Sequence, residues 1–442
     1  MEIKEIIIGI EVHVELKTRS KMFCGCSADH FGREPNTLTC PVCLGLPGAL
    51  PIPNKKAIEW TILLGLALDG QIQKSSRFDR KNYFYPDLPK GYQISQYEKP
   101  LILGGKIILD SGKEIHIKRV HLEEDTGKLL HQVIDGEKWT LIDFNRSGVP
   151  LVEIVSEPDI NSSEEAKEYL EKLHQIVRYI GISDADMEKG SMRLEPNVNL
   201  KIEDNGKIYI TPITEIKNIN SFRFAKKAIE YEIKRQFETF VKTKVEMIKG
   251  NKETRGWDEN KQITVPQRVK EEASDYRYFP EPDIPPIFWN EEEISNFRSL
   301  ISKIELPRNK KERFIKEYGL SEYQANILTA EKEKADFYEK TFSLVKERGI
   351  PPIEVANVII NKRINENLSE EELINFFVSL KKEAEVTDEE LNKIIDGFIL
   401  EHPEIVESFK KGKIQALGLI VGLVRKKTGV VVSLEKIASR IK

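Results

Sequence analysis

The 442-residue chain lacks any long uncharged apolar run: the longest, Ile414 to Val424, falls well short of the ~18 residues a bilayer-spanning helix needs. Its first residues, Met1-Glu2-Ile3-Lys4-Glu5, have neither the basic segment nor the cleavage site of a secretory signal, so a cytoplasmic location and no membrane partner are expected. No G-x-x-x-x-G-K-[ST] stretch occurs, which excludes a P-loop enzyme. Cysteine is scarce. The four residues, Cys24, Cys26, Cys40 and Cys43, all fall in one short region. In a reducing compartment disulfides are disfavoured, and C-x-C followed by C-P-x-C is the paired-thiolate spacing of tetrahedral zinc. Four thiolates leave no open coordination position, so such a zinc would be structural.

What is present describes a soluble globular protein, 40% hydrophobic and 32% charged, long enough for about three domains. The net charge of −4 is unevenly placed: residues 408–442 hold nine basic residues against Glu435, giving +8, and the rest carries −12. Lys410, Lys411, Lys413, Arg425, Lys426 and Lys427 supply most of this excess. Such a block is either a polyanion contact or the solvated surface of a small helical domain with Leu417, Leu419, Ile420 and Leu423 as its core.

The stretch Ile10-Glu11-Val12-His13-Val14-Glu15-Leu16 alternates with a period of two, so Ile10, Val12, Val14 and Leu16 share one face and Glu11, His13 and Glu15 the other. On this strand alone the solvated polar face of an antiparallel strand is the simpler explanation, with a cation site as the alternative. The period of two returns from Lys106 to Val155, broken by Asp110-Ser111-Gly112 and Asp135-Gly136, which predicts an antiparallel sheet. Within it Glu153 is flanked by Leu151, Val152, Ile154 and Val155, and a carboxylate there is costly unless it is paired, bound to metal or at a sheet edge. Residues 77–93, rich in Arg, Lys, Tyr, Pro and Gly, read as an ordered binding loop. A helix follows with Ser162 and Glu165 as a capping box, a stripe of Ala166, Tyr169, Leu170, Leu173, Ile176, Val177 and Ile180, and Gly181 as its stop. Beyond it, residues 190–199 and 214–223 set acids beside Arg, Lys and Asn. The prolines of 275–286 predict a stiff boundary, from 290 the pattern is helical, and a break near 386 precedes a capped helix at Thr387.

Five of these motifs, Gly9 to Leu16, Phe78 to Gln96, His121-Leu122-Glu123-Glu124-Asp125, Thr214-Glu215-Ile216-Lys217-Asn218 and Asp275 to Asp283, resemble the GatB family, the B subunits of the bacterial aspartyl/glutamyl-tRNA amidotransferases. The resemblance implies an α+β fold: a cradle-shaped, mainly antiparallel sheet domain related to glutamine synthetase over 1–286, a helical domain over 290–385 and a small helical tRNA-binding tail over 386–442. It implies ATP- and Mg²⁺-dependent activation of the side-chain carboxylate of misacylated Glu-tRNA(Gln) or Asp-tRNA(Asn), followed by amidation. By position in the motifs, Glu11, His13, Glu124 and Glu153 are the expected catalytic and metal-holding group, with Glu195 and Glu215 as further ligands. Arg193, Lys217 and Asn218 are expected to face phosphate, and Lys81, Lys90 and Asp275 to line the exit of an ammonia channel. No glutaminase nucleophile is evident, so ammonia is expected from a partner amidase (glutaminase), in a heterotrimer whose third member is a small clasp protein. One departure concerns the segment after Ser191-Met192-Arg193, where the family commonly has Cys-Asp-Ala and this chain has Leu194-Glu195-Pro196, a carboxylate one methylene longer. The archaeal relative's large insertion before its helical region is also missing. Two other classes use similar residues: a small-molecule carboxylate–amine ligase, which needs no basic tail, and a zinc RNA-binding protein, which leaves the buried acids unexplained.

Overall fold

The computed structural model describes residues 1–269, 276–361, 369, 371–372, 374–377, 387–428, 430 and 432–441. It divides into two compact units, Met1–Leu306 and Pro307–Lys442.

The first unit is built on strand Glu2–Glu15. Pro150–Ser156 pairs antiparallel on one side of it and Met192–Asp204 on the other. The sheet continues from 150–156 to Glu114–Glu124, and from 192–204 to Thr214–Lys217, Glu253–Asp258 and Ile263–Val269. Every pairing in it is antiparallel among the described residues except that of 214–217 with 253–258. Alternation then sorts the side chains. Ile8, Ile10, Val12 and Val14 join Val152, Ile154, Leu194 and Val198 in one core with residues of helices Lys55–Ala67, Ser163–Ile180 and Phe222–Thr243. Each such side chain contributes about 1.5–3 kcal/mol when fully buried. With one face sealed, a register slip of one residue would expose the whole apolar set, so the opposite polar row is fixed as firmly as the core.

The helix of residues 163–180 ends as its sequence implies, at Gly181 in the left-handed conformation (φ 73°). Its start differs in detail. The Ser162 hydroxyl accepts from the Glu165 amide at 3.1 Å, but the Glu165 carboxylate accepts from the Asn161 amide (2.8 Å) and from Lys113 (2.7 Å), so the reciprocal half of the capping box is displaced by one residue. Ile176 and Ile180 lie at the margin of the core and are only partly buried.

The first compact unit extends past 286. Phe279–Pro280 pairs with Asp79–Arg80, Ile287–Phe288 pairs with Ser75–Ser76, and Ile284 is buried, so the proline-rich segment is a strap laid on the sheet domain and not a linker. Helix Glu291–Ile301, closed by an Asn290/Glu293 capping box, adds Phe297 against Trp289 at 5.4 Å. In the second unit, one core gathers around Phe314, Phe342 and Val355. Another holds Leu391, Ile395, Leu417, Ile420 and Val424. The expected break at 386 falls among residues outside those described, but Thr387 and Glu390 form a full capping box on the next helix. Leu419, 58% exposed, and Leu423, only partly buried, do not belong to that core; Val424, four residues beyond Ile420, is buried with Ile420 and Leu417.

Candidate active site

The polar face of the sheet floors a cleft of about 1110 Å³. At its centre Glu153 stands opposite His13 on one neighbouring strand and His121 on the other. Its Oε2 lies 3.4 Å from His13 Nε2 and 3.3 Å from His121 Nε2, and Glu123 Oε1 is 3.9 Å from His13 Nε2. Strand 150–156 is interior to the sheet, so the sheet-edge explanation for Glu153 is overturned. Burial opposes a charge on His13, but Glu153, Glu195 and Glu123 outweigh it and raise its pKa to about 9. Burial likewise opposes the Glu153 carboxylate, and His121 and His13 reverse the balance and hold its pKa well below the ordinary value. Ligand atoms of His13, Glu123 and Glu153 all fall within 4.8 Å of one another, and the Nδ1 atoms of His13 and His121 are buried without hydrogen-bond partners.

On the flank formed by strands 192–204 and 214–217, Lys217 Nζ bridges Glu195 (2.6 Å) and Glu215 (2.9 Å), and Lys252 Nζ lies 3.4 Å from Glu215. Burial raises the cost of the Glu195 charge, yet Lys217 and His13 bring its pKa down to about 2; burial alone leads in lowering that of Lys252. Glu11 belongs to this flank and accepts from Asn197 Nδ2 at 3.1 Å. Nearby, Arg193 donates to Asp125 (2.5 Å), Arg146 Nε is 3.7 Å from the same carboxylate, and Glu15 meets His30 at 3.0 Å. On the opposite flank Lys81 Nζ sits 5.0 Å from the Tyr276 ring centre and 5.6 Å from that of Tyr83. Burial disfavours its charge, but Tyr278 and Glu123 carry its pKa well above the usual lysine range.

The cleft therefore brings together Glu11, His13, Glu153, Glu195, Glu215, Arg193, Lys217 and Lys81. It does not include Glu124. That side chain lies on the other face of strand 114–124, where it accepts from Lys90 Nζ and from the Ile94 amide (2.9 Å), and Glu123 is the acid of this motif that lines the cleft beside His13. Lys90, buried in that pair, is not on the cleft wall either. Asn218 is exposed, in a left-handed conformation (φ 61°), and also lies off the wall. Asp275 lies outside the described residues. Sequence reasoning missed Glu123, Asp125, His121 and Lys252. The first three were open to it, since alternation through His121-Leu122-Glu123-Glu124-Asp125 sets the odd-numbered residues together and Glu124 with Leu122. Lys252 follows a loop and had no such signal.

The four cysteine sulfurs form a separate group within 4.8 Å of one another. Cys43 Sγ accepts from the Cys40 amide (3.1 Å) and lies 3.7 Å from Nζ of the buried Lys21. The Cys24 thiol hydrogen-bonds to Cys43, which pushes the Cys24 pKa up and brings that of Cys43 down to about 4.

Residues 6–295 match the model of the GatB/GatE catalytic domain and residues 339–436 that of the GatB domain. The chain belongs to the GatB family. It is 45% identical to the aspartyl/glutamyl-tRNA(Asn/Gln) amidotransferase B subunit of Caldicellulosiruptor saccharolyticus, covering 96% of this chain and 95% of that protein. The corresponding B subunits of Caldanaerobacter subterraneus subsp. tengcongensis (46%, covering 96% and 95%) and Thermomicrobium roseum (43%, covering 96% and 94%) are similar to it over the same extent. In this GatB-family chain no described helix is long and apolar enough to cross a membrane.

The Glu124–Lys90 pair generates a prediction about stability. Breaking a buried pair by removing one charge costs about 3–5 kcal/mol. Glu124→Gln should therefore lower the stability of the chain by that order in urea titrations, and adding Lys90→Met should restore much of it. A Glu124→Gln protein as stable as the parent would show that the pair is not the buried contact described.

Proposed function

We propose that this chain is the tRNA-dependent amidotransferase subunit that activates and amidates the aminoacyl side chain of Glu-tRNA(Gln), Asp-tRNA(Asn) or both. The observation that carries this reading is the row of half-buried His13 and buried Glu123 and Glu153 on the cleft floor, within the residues that match the GatB/GatE catalytic domain. The cradle shape and glutamine synthetase kinship that the family implies belong to the same proposal.

The reaction has two parts. A side-chain carboxylate oxygen of the aminoacyl group attacks the γ-phosphorus of ATP, and ADP leaves. Ammonia then attacks the acyl carbon, phosphate leaves, and the proton lost from nitrogen ends on the departing phosphate. Both parts crowd anionic oxygens together, so the protein must supply cations and donors fixed in advance. Lys217, Lys252 and Arg193 are placed to bind phosphate oxygens at one flank of the cleft. Glu123 and Glu153 fit a hard divalent cation: they are close, buried and without a lysine between them, and Mg²⁺ prefers carboxylate and water oxygen. Bound there, Mg²⁺ would neutralise phosphate charge, with His13 acting through water and Glu11 adjacent. Glu195 and Glu215 are the proposed further ligands, although Lys217 and Lys252 already balance them.

Ammonia is proposed to come from a partner amidase (glutaminase), with a small clasp protein completing a heterotrimer. Lys81 stands on the cleft wall where ammonia would enter, and the Lys90–Glu124 pair, behind strand 114–124, would line the route to it, with Asp275 assigned to the same channel. The cysteine cluster fits zinc through four sulfurs already grouped, with the Cys40 amide and Lys21 beside Cys43 to stabilise thiolate charge. In the tail, Lys410, Lys411, Lys413, Arg425, Lys426 and Lys427 are all exposed and are proposed to contact tRNA phosphates.

Three experiments test this. With the amidase and the clasp protein, ATP and glutamine, the complex should amidate at least one of the two misacylated tRNAs, and Glu123→Gln or Glu153→Gln should reduce phosphorylation of the aminoacyl group by more than about 100-fold while tRNA still binds. Near-normal amidation at low Mg²⁺ by either variant would remove that carboxylate from the metal site. Metal analysis of protein prepared without chelator should find zinc, and Cys40→Ser should lose it; zinc retained in full by the variant would sink the assignment. Changing the six tail cations to Gln leaves the core of Leu417, Ile420 and Val424 in place, should raise KM for tRNA, and should lower the salt slope by about 0.7–0.9 for every phosphate no longer neutralised. Parallel log–log slopes would instead make the tail a solvated surface.

A further inference from the structure

The two flanks of the cleft differ in chemistry. Lys217 and Lys252, cations suited to phosphate, stand by strands 214–217 and 253–258, while Arg193 reaches from strand 192–204 across the floor to Asp125 at the end of strand 114–124. Aromatic rings stand on the other flank, by strand 114–124 and the hairpin of Asp79–Asn82 and Tyr92–Ser95. Four strand spacings of ~4.8 Å separate 214–217 from 114–124, so the flanks lie about 19 Å apart with strand 2–15 midway.

At the mouth of the aromatic flank Phe84 is 84% exposed and Tyr85 50% exposed, and both line the cleft. A phenyl ring left this open gains little from burial in the folded chain, yet its loop is braced. The Leu88 amide donates to the Tyr85 carbonyl (3.0 Å), the Gly91 amide to the Leu88 carbonyl (3.0 Å), and the Gly127 amide to the Asp87 carbonyl (2.8 Å). Gly91 is left-handed (φ 73°), and a Cβ there would come within 3.1 Å of the Phe84 ring. The loop backbone is thus fixed, with the Phe84 ring lying over Gly91 and both rings open to solvent. Beside them Tyr97 stacks on Tyr278 at 4.3 Å, and Arg119 and Arg277 line the same side.

We propose that Phe84 and Tyr85 form a stacking platform for the terminal adenine of the aminoacylated RNA. This rests on the functional reading above: an aminoacyl group whose side-chain carboxylate lies at Glu123 and Glu153 is esterified to a terminal adenosine, which must then lie toward the mouth. Unpaired 3′ bases are held by stacking on aromatic side chains, and any base offers a π face. Arg119 and Arg277 complement the phosphodiester backbone that leads away, which favours RNA over an apolar protein surface as the occupant.

The test uses the intact complex with its partner proteins and unacylated tRNA carrying 2-aminopurine at the 3′ terminus. Binding should quench the fluorophore, and Phe84→Ala with Tyr85→Ala should abolish the quench and raise KM for aminoacyl-tRNA by roughly 5- to 150-fold, with KM for ATP unchanged. Phe84→Trp should restore both. Quenching and KM unaltered in the alanine variant would overturn the proposal, as would a variant whose defect is failure to assemble with its partners. Quenching is read without ATP, so a complex that stacks the RNA end but never amidates would refute the functional reading and leave the platform standing. Amidation without quenching would refute the platform alone.

Discussion

The arrangement depends on one unfavourable placement, the Glu153 carboxylate within an interior strand, 8% exposed, with Glu123 close by. Two buried acids at that distance repel, and each has lost most of its hydration. The fold answers with imidazoles from both neighbouring strands, and antiparallel register sets His13 and His121 directly opposite Glu153. Register is in turn held by the apolar half of the same strands. Ile10, Val12, Val14, Val152 and Ile154 are sealed in the core, so slipping a strand to relieve the acids would bring its apolar side chains into the cleft. The hydrophobic core thus sustains the electrostatic strain of the polar face.

Much of this was legible because its signals are local and regularly spaced, with a period of two in the strands, the helical repeat in residues 163–180 and paired spacing in the cysteines. The strand at 10–16, the antiparallel ladder through 155, the helix ending at Gly181 and the cysteine group all follow from spacing, and the structure realises each. Glu124 shows where motif position misleads. A motif names a group of neighbouring acids, but only strand parity says which of them turns toward the cleft, and Leu122, buried in the core, sets Glu124 on the side away from it. Lys252 and the strap at 279–288 were illegible for another reason: their positions come from long-range packing, and no local period encodes it.

The acids of the cleft fall into two kinds. Glu195 and Glu215 already have lysines, so a cation added beside them must displace or share those ammonium groups. Glu123 and Glu153 have imidazoles and, for Glu123, the Ser95 hydroxyl at 3.0 Å, with no described ammonium in direct contact and Lys81 acting only at longer range, and a divalent ion gains more there. Phosphate brought to the lysine side changes this balance, because Lys217 and Lys252 can turn from carboxylate to phosphate oxygen and leave Glu195 and Glu215 short of positive charge. Glu195 meets Lys217 at 2.6 Å, so on this flank an added anion or cation must first break a close charge-assisted contact, whereas nothing of that kind has to be broken between Glu123 and Glu153.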